Sequence, residues 1–389
     1  MDVLDLARLQ FAVTGSLHFL FVVLTLGLAP LVAIMHTRYA RTGSTLDERT
    51  TRFWGQIYVT NYALGIVTGI VMEFQFGLSW SGLTHYAGDV FGAPLALETL
   101  IAFFLESTFL GLWIFGWHRL PKWLHVATIW LVTITAYASA FWIMVANSFL
   151  QHPAGAVRDG DVLRLDDFGA LLTNPSLSMA LPHVLSAGLT VGGFVVMGAS
   201  AYHLFRRTPD QELFSRSMRM GIWTSFAGTM MVVGFGFAQF GPVTSVQPDK
   251  FVDRPAAAFG LGMMILLGHL LQLVALVLVI VVKWAPRWRF LHPLIVLVTP
   301  LPFVAAILGW IAREEGRQPW MIWERLKVAD AITPGLTGGQ IILSFAGFVG
   351  VLTLLTVANY VLIVRIIRRG PHEIALGENP AAPAPALTF

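Results

Sequence analysis

No cysteine occurs anywhere in the 389 residues. Disulfides, thiolate nucleophiles, Cys-ligated zinc and iron–sulfur clusters are thereby excluded together, and any metal or cofactor must be held by His, Met, Glu or Asp. Charge is scarce too: Asp, Glu, Lys and Arg make up 12% of the chain against 56% hydrophobic residues, and mean hydropathy is +0.70. That balance points to a membrane protein rather than a soluble one. A nucleotide-binding glycine loop, an internal repeat and a soluble domain are all missing from the sequence. The pI of 9.3 reflects few acids against basic loops, so a nucleic-acid role has little support. The N-terminal stretch "MDVLDLARLQFAVTGSLHFLF" has neither a basic start nor a small-residue cleavage site. It is expected to be retained and to lead straight into the first span.

Long apolar runs are what the chain has in abundance. Windows of about 19 residues predict an all-α, polytopic fold with nine transmembrane helices, at roughly 13–36, 54–79, 94–118, 124–150, 179–206, 218–241, 256–284, 291–312 and 340–368. Of the 25 Lys and Arg residues, sixteen fall in the connections on the side of "TRYARTGSTLDERTTRF" and nine on the other. The positive-inside rule then places the N-terminus outside and the C-terminus inside. Residues 1–370 read as one transmembrane domain, and 371–389, Ala/Pro-rich at "ENPAAPAPALTF", as a disordered cytoplasmic tail.

An ionisable group at the centre of a span costs at least about 2.5 kcal/mol, so each one asks for a reason. His18, Glu73, Glu98, His183, Met263, Met264, Glu314 and Arg317 all fall near the outer ends of their predicted helices. Glu106 is deeper, about 12 Å below Glu98 at the helical rise. A single intramembrane His is more often an interhelical hydrogen-bonding residue, a single Met more often packing, and Glu98 alone reads as an acid in a first helical turn. Their shared depth is the stronger signal. His, Met and carboxylate together are an available ligand set for haem iron between helices. Arg8 and Arg317 would then answer the negative charge of such a cofactor.

The runs "LARLQFAVTGSLHFLFVVLTLGLA", "FWGQIYVTNYALGIVTGIVMEFQFG", "HYAGDVFGAPLALETLIAFFLESTFLGLWIFGW", "WIMVANSFLQHP" and "GWIAREEGRQPW" make the chain resemble subunit I of the cytochrome bd oxidases. The resemblance implies a catalytic subunit that reduces oxygen to water with electrons from quinol, and three haems, b558, b595 and d. It also implies a homologous second subunit, a small single-helix subunit and a bacterial inner-membrane location. Residue by residue, His18 matches the haem d ligand and Glu314 the carboxylate on haem b595. His183 with Met264 matches the axial pair of haem b558. Glu98 matches a carboxylate beside the haems, and Glu106, Ser107 and Ser139 match positions on the proton path. Trp320, in "GRQPW", is either a residue packing on a macrocycle or an interfacial anchor. Glu315 has no assigned role.

Two departures stand out. An arginine usual before the methionine is absent, Leu261 or Gly262 standing there, and Met263 and His269 remain alternative ligands. The loop expected to oxidise quinol is only "PVTSVQPDKFVDRP", with Lys250 at the position of a quinol-site lysine and Pro255 in place of a glutamate. A non-quinol donor such as a periplasmic cytochrome, and a degenerate companion subunit, are the alternatives. A proton-coupled transporter would need discontinuous helices and inverted repeats, which the sequence does not display.

Overall fold

The computed structural model describes residues 2–378. Among these, nine helices are long and apolar enough to cross a membrane, as expected. They are α1 (Val3–Thr42), α2 (Thr45–Leu78), α3 (Ser81–Phe115), α4 (Lys122–Gln151), α5 (Phe168–Arg206), α6 (Gln211–Val246), α7 (Pro255–Ile280), α8 (Leu291–Glu315) and α9 (Gly338–Arg369). Their ends follow local chemistry. Asp2 accepts a hydrogen bond from the Asp5 amide and caps α1, while Thr337 and Gln340 form a reciprocal capping box at α9.

Helices α1 and α5 form the centre, with 56% and 78% of their most apolar windows buried, whereas α8 buries 11% and presents the rest to the surroundings. Without water to drive helices together inside a bilayer, close approach depends on small residues. Gly27 of α1 meets Gly188 and Gly192 of α5 there. A Cβ on Gly192 would stand 2.6 Å from the Gly27 carbonyl carbon, which is backbone and cannot swing away. Gly192→Val is therefore expected to destabilise by about 1–3 kcal/mol through overpacking. An unchanged thermal midpoint of the purified protein would contradict this.

Several boundaries differ from the sequence reading: α1 and α2 begin at Val3 and Thr45 rather than near 13 and 54, and further shifts bear on the site. Helix α3 starts at Ser81, not near 94, and absorbs a kink at Ala87 (φ −134°, ψ 22°). A π-helical segment, Glu98–Phe103, then interrupts it. Glu98 thus lies in mid-helix and is not a first-turn acid. Helix α6 continues through a turn at Gln239 as far as Val246, which shortens the connection to α7 to Gln247–Arg254. In the tail expected from 371, Ile374 and Leu376 are buried and hold the chain against the bundle. His372 bonds Asp210 at 2.7 Å and the Gly377 carbonyl bonds His118 at 2.8 Å. The remainder of that tail, 379–389, lies outside the described residues. Short hairpins absent from the sequence reading complete the end of the bundle that carries Glu314. Strands β1 (Ala156–Asp159) and β2 (Val162–Leu165) turn at Gly160, whose φ of 60° favours glycine; β3 (Trp320–Ile322) and β4 (Leu326–Lys327) follow α8.

Candidate functional site

A cavity of about 660 Å³ opens between α1, α2, α3, α4, α5, α6, α7 and α8. Of the residues singled out in the sequence, Arg8, His18, Glu98, Glu106, Ser139, His183, Lys250, Met264, Glu314 and Arg317 line it. Ser107 and Trp320 do not. Ser107 stands just behind the wall, 3.4 Å from the Tyr62 hydroxyl, which does line it. The Trp320 carbonyl accepts from Arg317 Nε at 3.2 Å, and Lys327 lies 6.0 Å above its ring.

The two histidines share one arrangement. The Thr68 hydroxyl donates to the Gly65 carbonyl at 2.7 Å, so His18 Nδ1, 2.9 Å from that oxygen, must be the donor between them. His183 Nδ1 faces the Val232 carbonyl at 2.8 Å and must donate to it. Both rings are thereby fixed with the proton on Nδ1 and a lone pair on Nε2, and among the described residues neither Nε2 has a hydrogen-bond partner. A histidine held by its other nitrogen is how proteins orient a metal ligand.

Glu314 is held at both oxygens. Asn147 Nδ2 donates to Oε1 at 3.0 Å and Arg317 Nη2 to Oε2 at 2.6 Å. Asn147 is itself oriented by Arg313 Nε at 2.5 Å. Around this carboxylate, Arg8 Nε, Arg313 Nη2 and Arg317 Nη1 are buried without a partner among the described residues. Orphaned guanidinium donors are costly unless something negative answers them. Arg8 also pairs with Glu315 at 3.5 Å, so the second glutamate faces a cation and not water alone.

Elsewhere on the cavity wall the Ser139 hydroxyl donates to Glu98 Oε1 at 2.6 Å, and Thr99 joins Glu98 Oε2 at 3.3 Å to Glu73 Oε1 at 3.1 Å. The π-helical segment that carries Glu98 shifts the helical register at that wall, a device common at functional sites. Glu106, 5% exposed, has no partner for Oε1 among the described residues. Met264 lines the cavity and Met263 does not; the Met264 sulfur lies against the backbone of Gly309 in α8, where a Cβ would collide with it. His269 also lines the cavity, with Nδ1 bonded to the Ile265 carbonyl in its own helix at 2.8 Å.

Lys250 lies in the α6–α7 connection and is 3% exposed. Burial, reinforced by the Arg313 and Arg317 guanidiniums, pulls its ammonium down to about 6. Three acceptors work in the other direction, Gln151 Oε1 and Gln247 Oε1 at 2.7 Å each and the Arg313 carbonyl at 3.1 Å. Asn147, Gln151 and Arg313 were not singled out in the sequence. A polar Asn and Gln one turn apart within the apolar run "WIMVANSFLQ" are the signal that could have found the first two.

These features fit a large anionic cofactor: His18 and His183, and with them His269, carry Nε2 atoms without a partner among the described residues, beside a wall of unpaired guanidinium donors and an otherwise apolar space. Nine spans among the described residues, eight of them around such a cavity, define a multi-pass membrane protein with a cofactor site between its helices. The family model for cytochrome bd terminal oxidase subunit I matches residues 6–261 and 253–371. Cytochrome bd ubiquinol oxidase subunit 1 of Bacillus subtilis is 34% identical over 98% of this chain and 98% of that protein. Cytochrome bd-II ubiquinol oxidase subunit 1 of Escherichia coli is 46% identical over 64% of this chain and 49% of its own. The bd oxidase from Geobacillus thermodenitrificans shares the fold at a TM-score of 0.87 and 22% identity, covering 95% of this chain and 99% of that one. The chain belongs to the cytochrome bd terminal oxidase subunit I family: it is a haem-bearing oxidoreductase subunit, spanning the bacterial cytoplasmic membrane several times.

Proposed function

We propose that this chain is the catalytic subunit of a bd-type oxidase that reduces O2 to water with electrons from quinol, paired with a homologous second subunit and a small single-helix one. The observation that carries the reading is the meeting of His18, Glu98, Glu106, His183 and Glu314 on one cavity. His18 would hold haem d, Glu314 haem b595, and His183 with Met264 haem b558. Bound there, the haems supply the electron transfer and an open iron face for oxygen. Arg8, Arg313 and Arg317 would answer the carboxylates of such groups.

The chain's own chemistry is proton delivery. Turning O2 into two waters takes four electrons and four protons. Glu106 carries a proton on its unpartnered carboxyl through the apolar layer, and Glu98, held by Ser139, presents it at the cavity wall. Tyr62, bonded to Ser107, borders the same route. The orientation with the N-terminus outside puts the donor on the outer face, beside the α6–α7 connection.

Quinol as donor draws support from the relatives, two of which are named ubiquinol oxidases and a third, of Bacillus subtilis at 24% identity, a putative menaquinol oxidase. The shortness of the Gln247–Arg254 connection and Pro255 favour, as a second reading, a donor such as a periplasmic cytochrome. A reduced-minus-oxidised spectrum of the purified complex, then oxygen uptake with quinol against a reduced soluble cytochrome, decides between them. Three haems per copy and uptake with quinol are expected. Fewer haems would favour a companion subunit, and uptake with the cytochrome alone would replace the donor.

A further inference from the structure

At the end of the bundle opposite Glu314, residues 281–290 join α7 to α8 and read "VVKWAPRWRF". Trp284, Trp288 and Phe290 are exposed there and stacked on one another, with ring centroids 6.4 and 5.8 Å apart and planes within 24°. Adjoining bare rings are a liability against water, but they are usual at the headgroup level of a bilayer, where one edge is wet and the rest is apolar. The stack therefore sets this turn at the membrane surface.

Lys283, Arg287 and Arg289 come from the same turn and are all exposed. Arg289 ties the turn to the end of α5: its guanidinium lies 5.0 Å from the centre of the Phe205 ring, and Nη2 donates to the Phe205 carbonyl at 3.1 Å. The two residues after Phe205 are Arg206 and Arg207, so five exposed cations collect on two segments in contact. Arg207 holds φ 55°, the left-handed conformation that favours glycine, so a cation is kept where the backbone alone would not select one.

No Asp or Glu pairs with any of the five among the described residues. Elsewhere on this face the arginines are answered. Asp47 pairs with Arg38 at 3.1 Å and Arg216 at 3.7 Å, and Glu48 with Arg52 at 2.6 Å. Asp210, three residues from Arg207 in the chain, is already taken by Arg49 and His372. Like charges crowded without a counterion repel one another, and a phosphodiester at the membrane surface supplies the missing negative charge. The positive-inside rule accounts for cations spread over this face, but not for their convergence on one aromatic turn.

We propose that the α7–α8 turn and the end of α5 form a binding site for an anionic phospholipid. Arg206, Arg207, Lys283, Arg287 and Arg289 hold its phosphodiester, and the stack of Trp284, Trp288 and Phe290 lies along its glycerol and upper acyl carbons. Guanidinium forks suit a phosphate, to which each can donate two parallel hydrogen bonds.

The test is a native mass-spectrometric titration of the assembled full-length oxidase in neutral detergent with dioleoylphosphatidylglycerol, against dioleoylphosphatidylcholine. The anionic lipid is expected to bind at least about 10-fold more tightly. Arg206→Gln with Arg287→Gln removes two cations whose side chains make no hydrogen bond among the described residues, only Arg289 of the five doing so. That pair should weaken phosphatidylglycerol by about 25-fold, at about 5-fold for each cation, and leave phosphatidylcholine and oxygen uptake unchanged. Arg119→Gln, in the α3–α4 connection of the same face, removes another exposed arginine and should change neither lipid by more than about 2-fold. Equal binding of the two lipids, or an unchanged affinity in the double variant, would overturn the proposal. So would an equal loss in Arg119→Gln, which marks diffuse attraction to the whole face, or displacement of the lipid by an equal concentration of inorganic phosphate. Should the first pair not assemble, Lys283→Gln with Arg287→Gln is read in the same way.

Discussion

His18→Ala should abolish the high-spin haem d signal and lower oxygen uptake by at least about 100-fold, above the range expected for loss of an outer-shell partner. The low-spin signal assigned to His183 should survive, since the two histidines stand on different helices with separate anchors. The reasoning is geometric. Thr68 gives its own hydrogen to the Gly65 carbonyl, so it can only accept from His18, and the free nitrogen is the one toward the cavity. Thr68→Val removes the anchor and leaves the ligand, so a smaller loss, about 10-fold, is expected. Unaltered uptake and spectrum in His18→Ala would remove the oxygen site from this position.

Glu106→Gln should leave all haem signals in place yet slow oxygen uptake by about 10²–10⁴-fold, the usual contribution of a positioned proton-transfer group. Glutamine has nearly the same shape and cannot release and regain a proton. The side chain is 5% exposed with an unpartnered carboxyl oxygen, an arrangement that costs stability and asks for a functional reason. Single-turnover kinetics in H2O and D2O provide the check. Full activity in the variant would show that protons reach the cavity by another route.

How much of this was legible beforehand varies from residue to residue. The nine spans follow from apolar runs, because a bilayer-crossing helix needs about 20 such residues whatever its neighbours. The start of α3 was missed because "SGLTHYAGDVFGAPLAL" mixes polar residues, three glycines and a proline into a helix that packing completes. Glu98 looked like a helix start for the same reason, and the π-helical segment that carries it left no local mark. Met263 and Met264 could not be separated by hydropathy, yet neighbours on a helix point about 100° apart, so the rotation of α7 chose one of them.

The amino-acid sequence by itself determined that this is an all-helical membrane protein, that no sulfur ligand other than methionine is available, and that His, Glu and Arg collect near one end of the bundle. Those properties depend on composition and on position along single helices. The tertiary structure alone decided which histidine nitrogens are free, that Asn147 and Arg317 share Glu314, that Glu315 answers Arg8, and that Lys250 points inward. Each of these depends on how one helix is rotated against a partner far away in the chain, as with Asn147 and Glu314, 167 residues apart. A rotation of that kind is set by packing across the bundle and is not written in any short stretch of sequence.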